Sequence, residues 1–393
     1  MSKVLIITKS FLTHDRQNAL CIERVAECLK NYGHIIDYLS WEQDVPTSSE
    51  TNVYTVVEPE YVNGYRNQLR KIVKLLNVPL NSLSLVNKLY LAIKKLIYRF
   101  DYTTVVAVVN PAEGAEALYR IKKENPSINT ILYEIDPSSN RYKTPKAISE
   151  IVWQKKSIIW EQKIYSTFDH IIHMQTHKAH YNDKMFKKYQ KKSIYLDIPG
   201  FIPQKNWEIQ NSNSSRFLYC GAFYHKLREP YYMLKVIECL NRKKTCNLDI
   251  YTGKSMRSEL IAASKKFDFL TIHNEVSQNE LNDIIQQSDV LISIGNSYSD
   301  FLPSKTLMYM STGKPIIHFY TDSHDVSLRY YKNYPAVLFI NQQEKIDANK
   351  INKIYDFLLR IKSGYSIDSG KLYNSLYMNT PEYSAKKINE LII

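Results

Sequence analysis

Between residues 289 and 319 the chain reads DVLISIGNSYSDFLPSKTLMYMSTGKPIIHF, and this stretch constrains the fold more than any other. DVLISI and PIIHF are short apolar runs rich in β-branched residues, the pattern of strands buried in a sheet. A helix is expected between them. Pro303 stands where a first helical position tolerates a missing N–H, and Gly313 where a left-handed C-cap is wanted. On this reading Pro303, Ser304 and Lys305 form the first helical turn, where free N–H groups and the positive dipole end favour an anion and Lys305 adds a full charge. Loops leaving the carboxyl ends of parallel strands are also where open α/β sheets bind ligands. The alternative is a surface helix that merely starts there.

The same alternation recurs along the 393 residues. Residues 3–8 (KVLIIT), a helix closed by Gly33 and residues 34–40 (HIIDYLS) make a β-α-β unit of a doubly wound sheet. Further strands are read at 104–109, 130–135 and 193–198, then at 216–220, 246–251, 269–273, 289–294, 315–319 and 336–340. Ser277 and Glu280 form a capping box for a helix over 277–287. The break at 199–203 and the polar run QNSNSS at 210–215 mark a domain boundary. The expected organisation is an α/β chain of two Rossmann-like doubly wound domains. Residues 1–200 form the first, 201–379 the second, and 380–393 a terminal helix with Thr380 as N-cap and Pro381 at its first position.

Charge separates the halves. The formal net charge is +13, and from residue 61 to 100 there is no Asp or Glu, whereas Arg66, Arg70, Lys71, Lys74, Lys88, Lys94, Lys95 and Arg99 alternate with Leu and Ile. Two basic amphipathic helices suit an anionic membrane surface, with a solvated basic face as the alternative. A second basic patch spans Lys184, Lys187, Lys188, Lys191 and Lys192. No zinc-finger, RNP or GXXG pattern occurs, so nucleic acid is not the expected polyanion. Five cysteines without CxxC spacing suit reduced thiols, and there is no apolar run of about 18 residues. The expectation is a cytoplasmic chain working at the inner face of the plasma membrane. His170, His173, His177 and His180 share no three-ligand face, so no metal is expected from them.

The stretch at 289–319 resembles the signature region of retaining, nucleotide-sugar-dependent glycosyltransferases of the GT-B type, family 4, whose two Rossmann domains face across a cleft. Met310, Gly313 and Pro315 match the tail of the pattern, and Asp300 falls at its first acidic position. Met308 stands where the second acid is expected, and a thioether is only a weak acceptor for ribose hydroxyl protons. The resemblance implies a donor site. Gly221, Lys226 and Arg228 fall at the diphosphate clamp after a strand, and Lys305 with Pro303 and Ser304 at the second cationic element. Tyr251, Gly253, Asn274 and Val276 fall in the crevice and nucleobase loop. It places His14, Arg16 and Asn18 toward the acceptor and Asp136 near the donor sugar, although Asp136 before Pro137 equally suits a turn. Arg228, Lys305 and Asp136 are therefore the catalytic candidates, and the last helix is expected to return to the N-terminal domain.

No D-x-D motif is present, so the leaving diphosphate is expected to be neutralised by protein cations rather than by a metal, with a UDP-linked sugar as the leading donor. The implied activity is a hexosyltransferase of the glycosyltransferase class, adding a sugar to a lipid-linked saccharide or polysaccharide. Two readings compete: a nucleotide-sugar epimerase of the same fold, and a non-catalytic partner subunit of another glycosyltransferase.

Overall fold

The computed structural model describes residues 2–9, 17–42, 51–57, 77–109, 111–140, 148–203, 215–296, 302–303, 305–363 and 367–393. The chain divides into two compact units, Met1–Pro199 with Met378–Ile393, and Gly200–Tyr377.

In the first unit the order is β1 (Lys3–Ile7), α1 (Gln17–Lys30), β2 (Ile35–Ser40), β3 (Val53–Thr55), α2 (Leu83–Phe100), β4 (Thr104–Val109), α3 (Glu113–Glu124), β5 (Asn129–Glu134), α4 (Ile148–Thr167), β6 (His170–Met174), the short α5 (Lys178–Tyr181) and β7 (Ser193–Leu196). Its sheet runs β3-β2-β1-β4-β5-β6-β7. Every pairing is parallel, for example Leu5 against Val105 and Val106 against Ile131. β4 and β5 are buried at all positions because helices cover both faces, and β4 accordingly reads as the nearly continuous apolar run TVVAVV.

One face packs Leu5, Val105 and Leu132 against Leu89 and Ile93 of α2, Leu118 of α3 and Ile164 of α4. α2 starts where Ser82 Oγ accepts from Leu85 N–H, and the buried carboxylate of Glu113 accepts from the Asn81 and Ser82 amides just before it.

The opposite face packs Val4, Ile36 and Val106 against Val25 and Leu29 of α1. Gly33, at φ +83°, closes that helix in the left-handed region where an L side chain is strained.

The second unit contains β8 (Ser215–Cys220), α6 (Tyr231–Asn241), β9 (Cys246–Tyr251), α7 (Arg257–Ser264), β10 (Leu270–His273), α8 (Gln278–Gln287), β11 (Val290–Ile294), α9 (Thr306–Ser311), β12 (Ile316–Tyr320), α10 (Val326–Tyr331), β13 (Val337–Asn341), α11 (Ala348–Lys362) and α12 (Ser369–Ser375). Its six strands run β10-β9-β8-β11-β12-β13, all parallel. Both residues of the Ser277–Glu280 capping box make their bonds.

The chain then returns to the first unit as α13 (Pro381–Asn389). Thr380 Oγ1 accepts from Tyr383 N–H, and Ala385 and Ile388 join the core beneath α1. His34 Nε2 meets Asn389 Oδ1 at 2.7 Å, and Asn129 Nδ2 donates to Leu391 O at 2.8 Å.

One expectation is corrected. Pro303 and Lys305 are not in a helical turn: α9 starts at Thr306, whose amide donates to Pro303 O, and Lys305 is its N-cap. The loop from β11 closes in a turn first, so the helix has only six residues. So short a helix sums few peptide dipoles, and the attraction for an anion rests on side-chain charge instead. Gly313 does stand just past the end of this helix, at φ +73°.

Candidate functional site

In both sheets consecutive strands depart in opposite directions from a central pair, β1/β4 in the first unit and β8/β11 in the second. Such switch points leave a crevice at the carboxyl ends of the strands.

In the second unit two loops meet there. After β8 the chain folds into a tight hairpin in which Tyr224 and Arg228 exchange both backbone hydrogen bonds at 2.9 Å. Lys226 occupies its exposed tip at φ +64°, with its amide donating to Glu229 Oε1. Arg228 turns inward instead. Its Nη2 donates to Asn296 Oδ1 at 2.7 Å, tying the loop after β8 to the loop after β11. Gly221 lies beneath: a Cβ there would come within 3.3 Å of the Tyr219 hydroxyl and 3.8 Å of Arg228 Nη1. The buried Nε–H of Arg228 has no hydrogen-bond partner among the described residues. A guanidinium presented with unspent donors at a strand end is suited to phosphate oxygens.

Lys305 approaches the same strand end from α9. Tyr309, one turn into that helix, accepts from the Cys220 amide at 3.0 Å. Burial pushes the Cys220 thiol up to about 12, and the nearby Lys305 charge opposes that shift. Burial likewise raises the Tyr219 and Tyr331 phenols, with the Arg228 charge among the smaller effects that oppose it. Two cations from separate loops therefore act on one end of β8. Lys305 Nζ lies 4.0 Å from Met308 Sδ, so the position matched to an acid places a thioether beside the ammonium.

A buried network holds the Asn296 loop. His318 Nδ1 meets Ser293 Oγ at 3.0 Å, His318 Nε2 meets Asp325 Oδ2 at 3.1 Å, and Asp325 Oδ1 caps α10 by accepting from Ser327 N–H at 2.8 Å. Asp325 packs so closely beneath Gly295 that a Cβ on the glycine would sit 1.7 Å from its carboxylate oxygen. These residues were missed in the sequence. Gly295 and Asn296 follow DVLISI directly, and the strand-end rule was the signal that marks them.

On the other side of β8, Tyr251 stacks on His273 with ring centroids 4.3 Å apart and planes 10° apart, while His273 Nε2 meets Asp249 Oδ1 at 2.7 Å. Arg257 Nη1 donates to Thr252 O and His273 O, fixing the two strand ends. Gly253 faces Glu275, exposed Asn274 follows β10, and Val276 is half-buried in the same loop.

In the first unit the strand ends carry the opposite chemistry. Glu134, last in β5 and fully buried, accepts from Tyr165 at 2.5 Å and Tyr181 at 2.7 Å and meets His173 Nδ1 at 3.1 Å. Glu161 is also fully buried and accepts from the amide and hydroxyl of Ser139, both at 2.7 Å. Burial holds its carboxyl above the usual range, with the Glu134 charge adding to the rise. Burial likewise lowers His173. Asp136, half-exposed beyond this sealed cluster, meets buried His177 Nε2 at 2.9 Å, and His177 Nδ1 faces Asn140 Nδ2 at 3.3 Å. His173 and His177 thus serve different partners, and His180 Nε2 meets Ser139 Oγ at 3.2 Å. Among the described residues no group of three or more His, Cys, Asp or Glu is arranged to hold a metal ion.

His14, Arg16, Asp300 and Ser304 lie outside the described residues, and Asn18 falls in the first turn of α1. The structure brings together Gly221, Arg228 and Lys305, and separately Tyr251, Gly253, Asn274 and Val276 at the neighbouring strand ends.

No protein-family model matches the chain, and no curated protein matches it by sequence. Solved structures do. Sucrose-phosphate synthase from Thermosynechococcus elongatus is similar over 100% of this chain and 95% of its own, with a TM-score of 0.59 at 11% identity. The catalytic domain of starch synthase IV from Arabidopsis thaliana, bound to ADP and acarbose, covers 100% and 98% at a TM-score of 0.58 and 9% identity. An α-glucosyltransferase in complex with UDP and DNA covers 100% of both chains at 0.58 and 12% identity. At such identities the likeness concerns the fold, and that fold is the one the GT-B glycosyltransferases share.

Proposed function

We propose that this protein transfers a hexose from a nucleoside diphosphate sugar, with UDP as the leading nucleotide, to a lipid-linked or polysaccharide acceptor, with retention of anomeric configuration and without a required metal. The observation that carries the reading is Arg228 bridging to Asn296 across the β8/β11 switch point, over Gly221 and with Lys305 at the same strand end. In the transfer, the bond between the anomeric carbon and the diphosphate oxygen breaks, and the diphosphate leaves with the electron pair. Arg228 and Lys305 stabilise that charge, the task a metal performs elsewhere. On the face the diphosphate leaves, the acceptor oxygen bonds the anomeric carbon and passes its proton to the departing diphosphate oxygen. The loop holding Asn274 and Val276, beside the Tyr251–His273 stack, receives the base. Asp136, held by His177, orients a sugar hydroxyl or offsets positive charge at the anomeric carbon. Acceptor contacts fall to His14, Arg16 and Asn18, and the basic face of α2 brings the chain to the cytoplasmic side of the membrane.

The test supplies the purified protein with UDP-, GDP- and ADP-sugars and a lipid extract containing lipid-linked saccharides. Release of one nucleoside diphosphate with an acceptor one sugar longer is expected, falling about 100-fold or more in Lys305→Ala. No release from any donor would overturn the reading.

One observation favours a second reading, a non-catalytic partner of another transferase: a thioether, that of Met308, stands beside Lys305 at the position matched to the ribose-binding acid. Met308→Glu separates the two. In an enzyme it tightens nucleotide binding by about 2 kcal/mol, within the range for a hydrogen bond to a charged group. In a partner subunit it leaves nucleotide binding absent.

A further inference from the structure

α4 is apolar on both sides. Its inner face buries Trp160, Ile164 and Tyr165, yet Ile148, Val152 and Ile159 are 83%, 46% and 66% exposed. Their spacing of four and seven residues puts them on one stripe, and Lys155 lies on it as well. On the far side of α3 the outer stripe of α2 repeats the pattern, with exposed Lys88 and Lys95 alternating along it with Leu91, 63% exposed, and Tyr98, 91% exposed. α2, α3 and α4 form one helical layer over one face of the sheet, all packing into the same core. Beyond α4 runs the lysine-rich segment 184–192. Its Met185 carbonyl accepts from Gln162 Nε2, and Tyr189 donates to the Gln162 carbonyl. Lys192 turns inward there to the Ser166 and Phe168 carbonyls, while Lys184, Lys187, Lys188 and Lys191 remain exposed.

Large apolar side chains at such exposure are costly in water unless something covers them. Cations flank the stripes on both sides, and among the described residues no helix is long and apolar enough to cross a membrane. We infer that the outer face of this layer is an interfacial docking surface for an anionic lipid bilayer. The α4 isoleucines and Leu91 enter the boundary between headgroups and acyl chains, and the lysines of α2 and of segment 184–192 bind phosphate headgroups. Tyr98 suits the headgroup level, where an aromatic ring with a polar tip is stable. The occupant is a membrane because the charges frame the apolar stripes as headgroups frame acyl chains. This deepens the membrane contact proposed above and rests on it, but not on the transfer chemistry.

The full-length protein is mixed with vesicles of phosphatidylglycerol and phosphatidylcholine, or of phosphatidylcholine alone, and sedimented at low and high salt. Binding to the anionic vesicles is expected, with a remnant that persists at high salt because insertion is not screened. The triple variant Ile148→Ser/Val152→Ser/Ile159→Ser changes only exposed positions. It should bind at least about tenfold more weakly and lose the salt-resistant remnant. Lys88→Glu/Lys95→Glu should lose mainly the salt-sensitive part. Unchanged binding of the triple variant, with loss only in the lysine variant, overturns insertion and leaves an electrostatic contact. No vesicle binding overturns the membrane reading altogether, as does a concentration-dependent dimer that the triple variant abolishes. Nucleotide binding by the triple variant reports the donor site separately and is expected to be unchanged.

Discussion

The two sheets share one topology and end in opposite chemistry. At the strand ends of the second unit stand Gly221, Arg228 and Lys305, and the buried Nε–H of Arg228 has no hydrogen-bond partner among the described residues. In the first unit Glu134, at the end of β5, is sealed under Tyr165 and Tyr181, Glu161 of α4 is sealed under Ser139, and Asp136 is half-exposed and backed by His177. A doubly wound sheet supplies the crevice in either case, and the residues at the strand ends decide what enters it. Cations and glycine suit a diphosphate. A lone carboxylate on a rigid, hydrogen-bonded base suits sugar hydroxyls, which it can bind only as an acceptor.

The sharpest way to break this contrast is Arg228→Ala. It should weaken nucleoside diphosphate binding by about 2–3 kcal/mol, the range for hydrogen bonds to charged groups, while Arg228→Lys keeps the charge and loses the fork. Calorimetry on both variants reads the difference, and equal affinities for wild type and Arg228→Ala would dissolve the distinction between the units.

A smaller effect is expected from the other side. Asp136→Asn should leave nucleotide affinity unchanged and lower transfer by about 10- to 100-fold, so kcat falls without a change in donor binding. Loss of nucleotide binding in this variant would contradict the division of labour.

The smallest effect concerns the sealed cluster. Because burial holds the Glu161 carboxyl above its ordinary value, the folded state keeps a proton that the unfolded chain releases. The stabilisation is complete below the ordinary carboxyl range and is lost as pH rises through the folded value. Glu161→Gln should therefore flatten that decline and gain about 1 kcal/mol over the parent at pH 8 relative to pH 4, measured as urea midpoints. An unchanged pH slope would show that the cluster is not held by buried protonation.

The legible part of the sequence was its periodicity. Short runs rich in β-branched residues such as TVVAVV and DVLISI announced buried parallel strands, and Thr380–Pro381 and Ser277–Glu280 announced helix starts that the structure forms. Local signals failed where the partner is distant in sequence. Pro303 suits a first helical position, but the turn after β11 moved the helix start to Thr306. Asn296 gains its meaning only from Arg228, 68 residues earlier, and Gly295 only from the Asp325 carboxylate packed against it. Nothing near His177 in the sequence names Asp136 as its partner, 41 residues before. The outer stripe of α4 escaped notice for another reason. A helix apolar on two sides has no single face, so periodicity hides its exposed isoleucines among the buried residues.

The central claim is that the second unit's strand-end cations hold a nucleoside diphosphate. Isothermal calorimetry with UDP, GDP, ADP and dTDP, with and without magnesium, on wild type, Arg228→Ala and Asp136→Asn tests it most directly. The account predicts that one diphosphate binds without magnesium, that Arg228→Ala loses most of that affinity, and that Asp136→Asn keeps it. Binding of none of the four, or equal binding by Arg228→Ala, would contradict it.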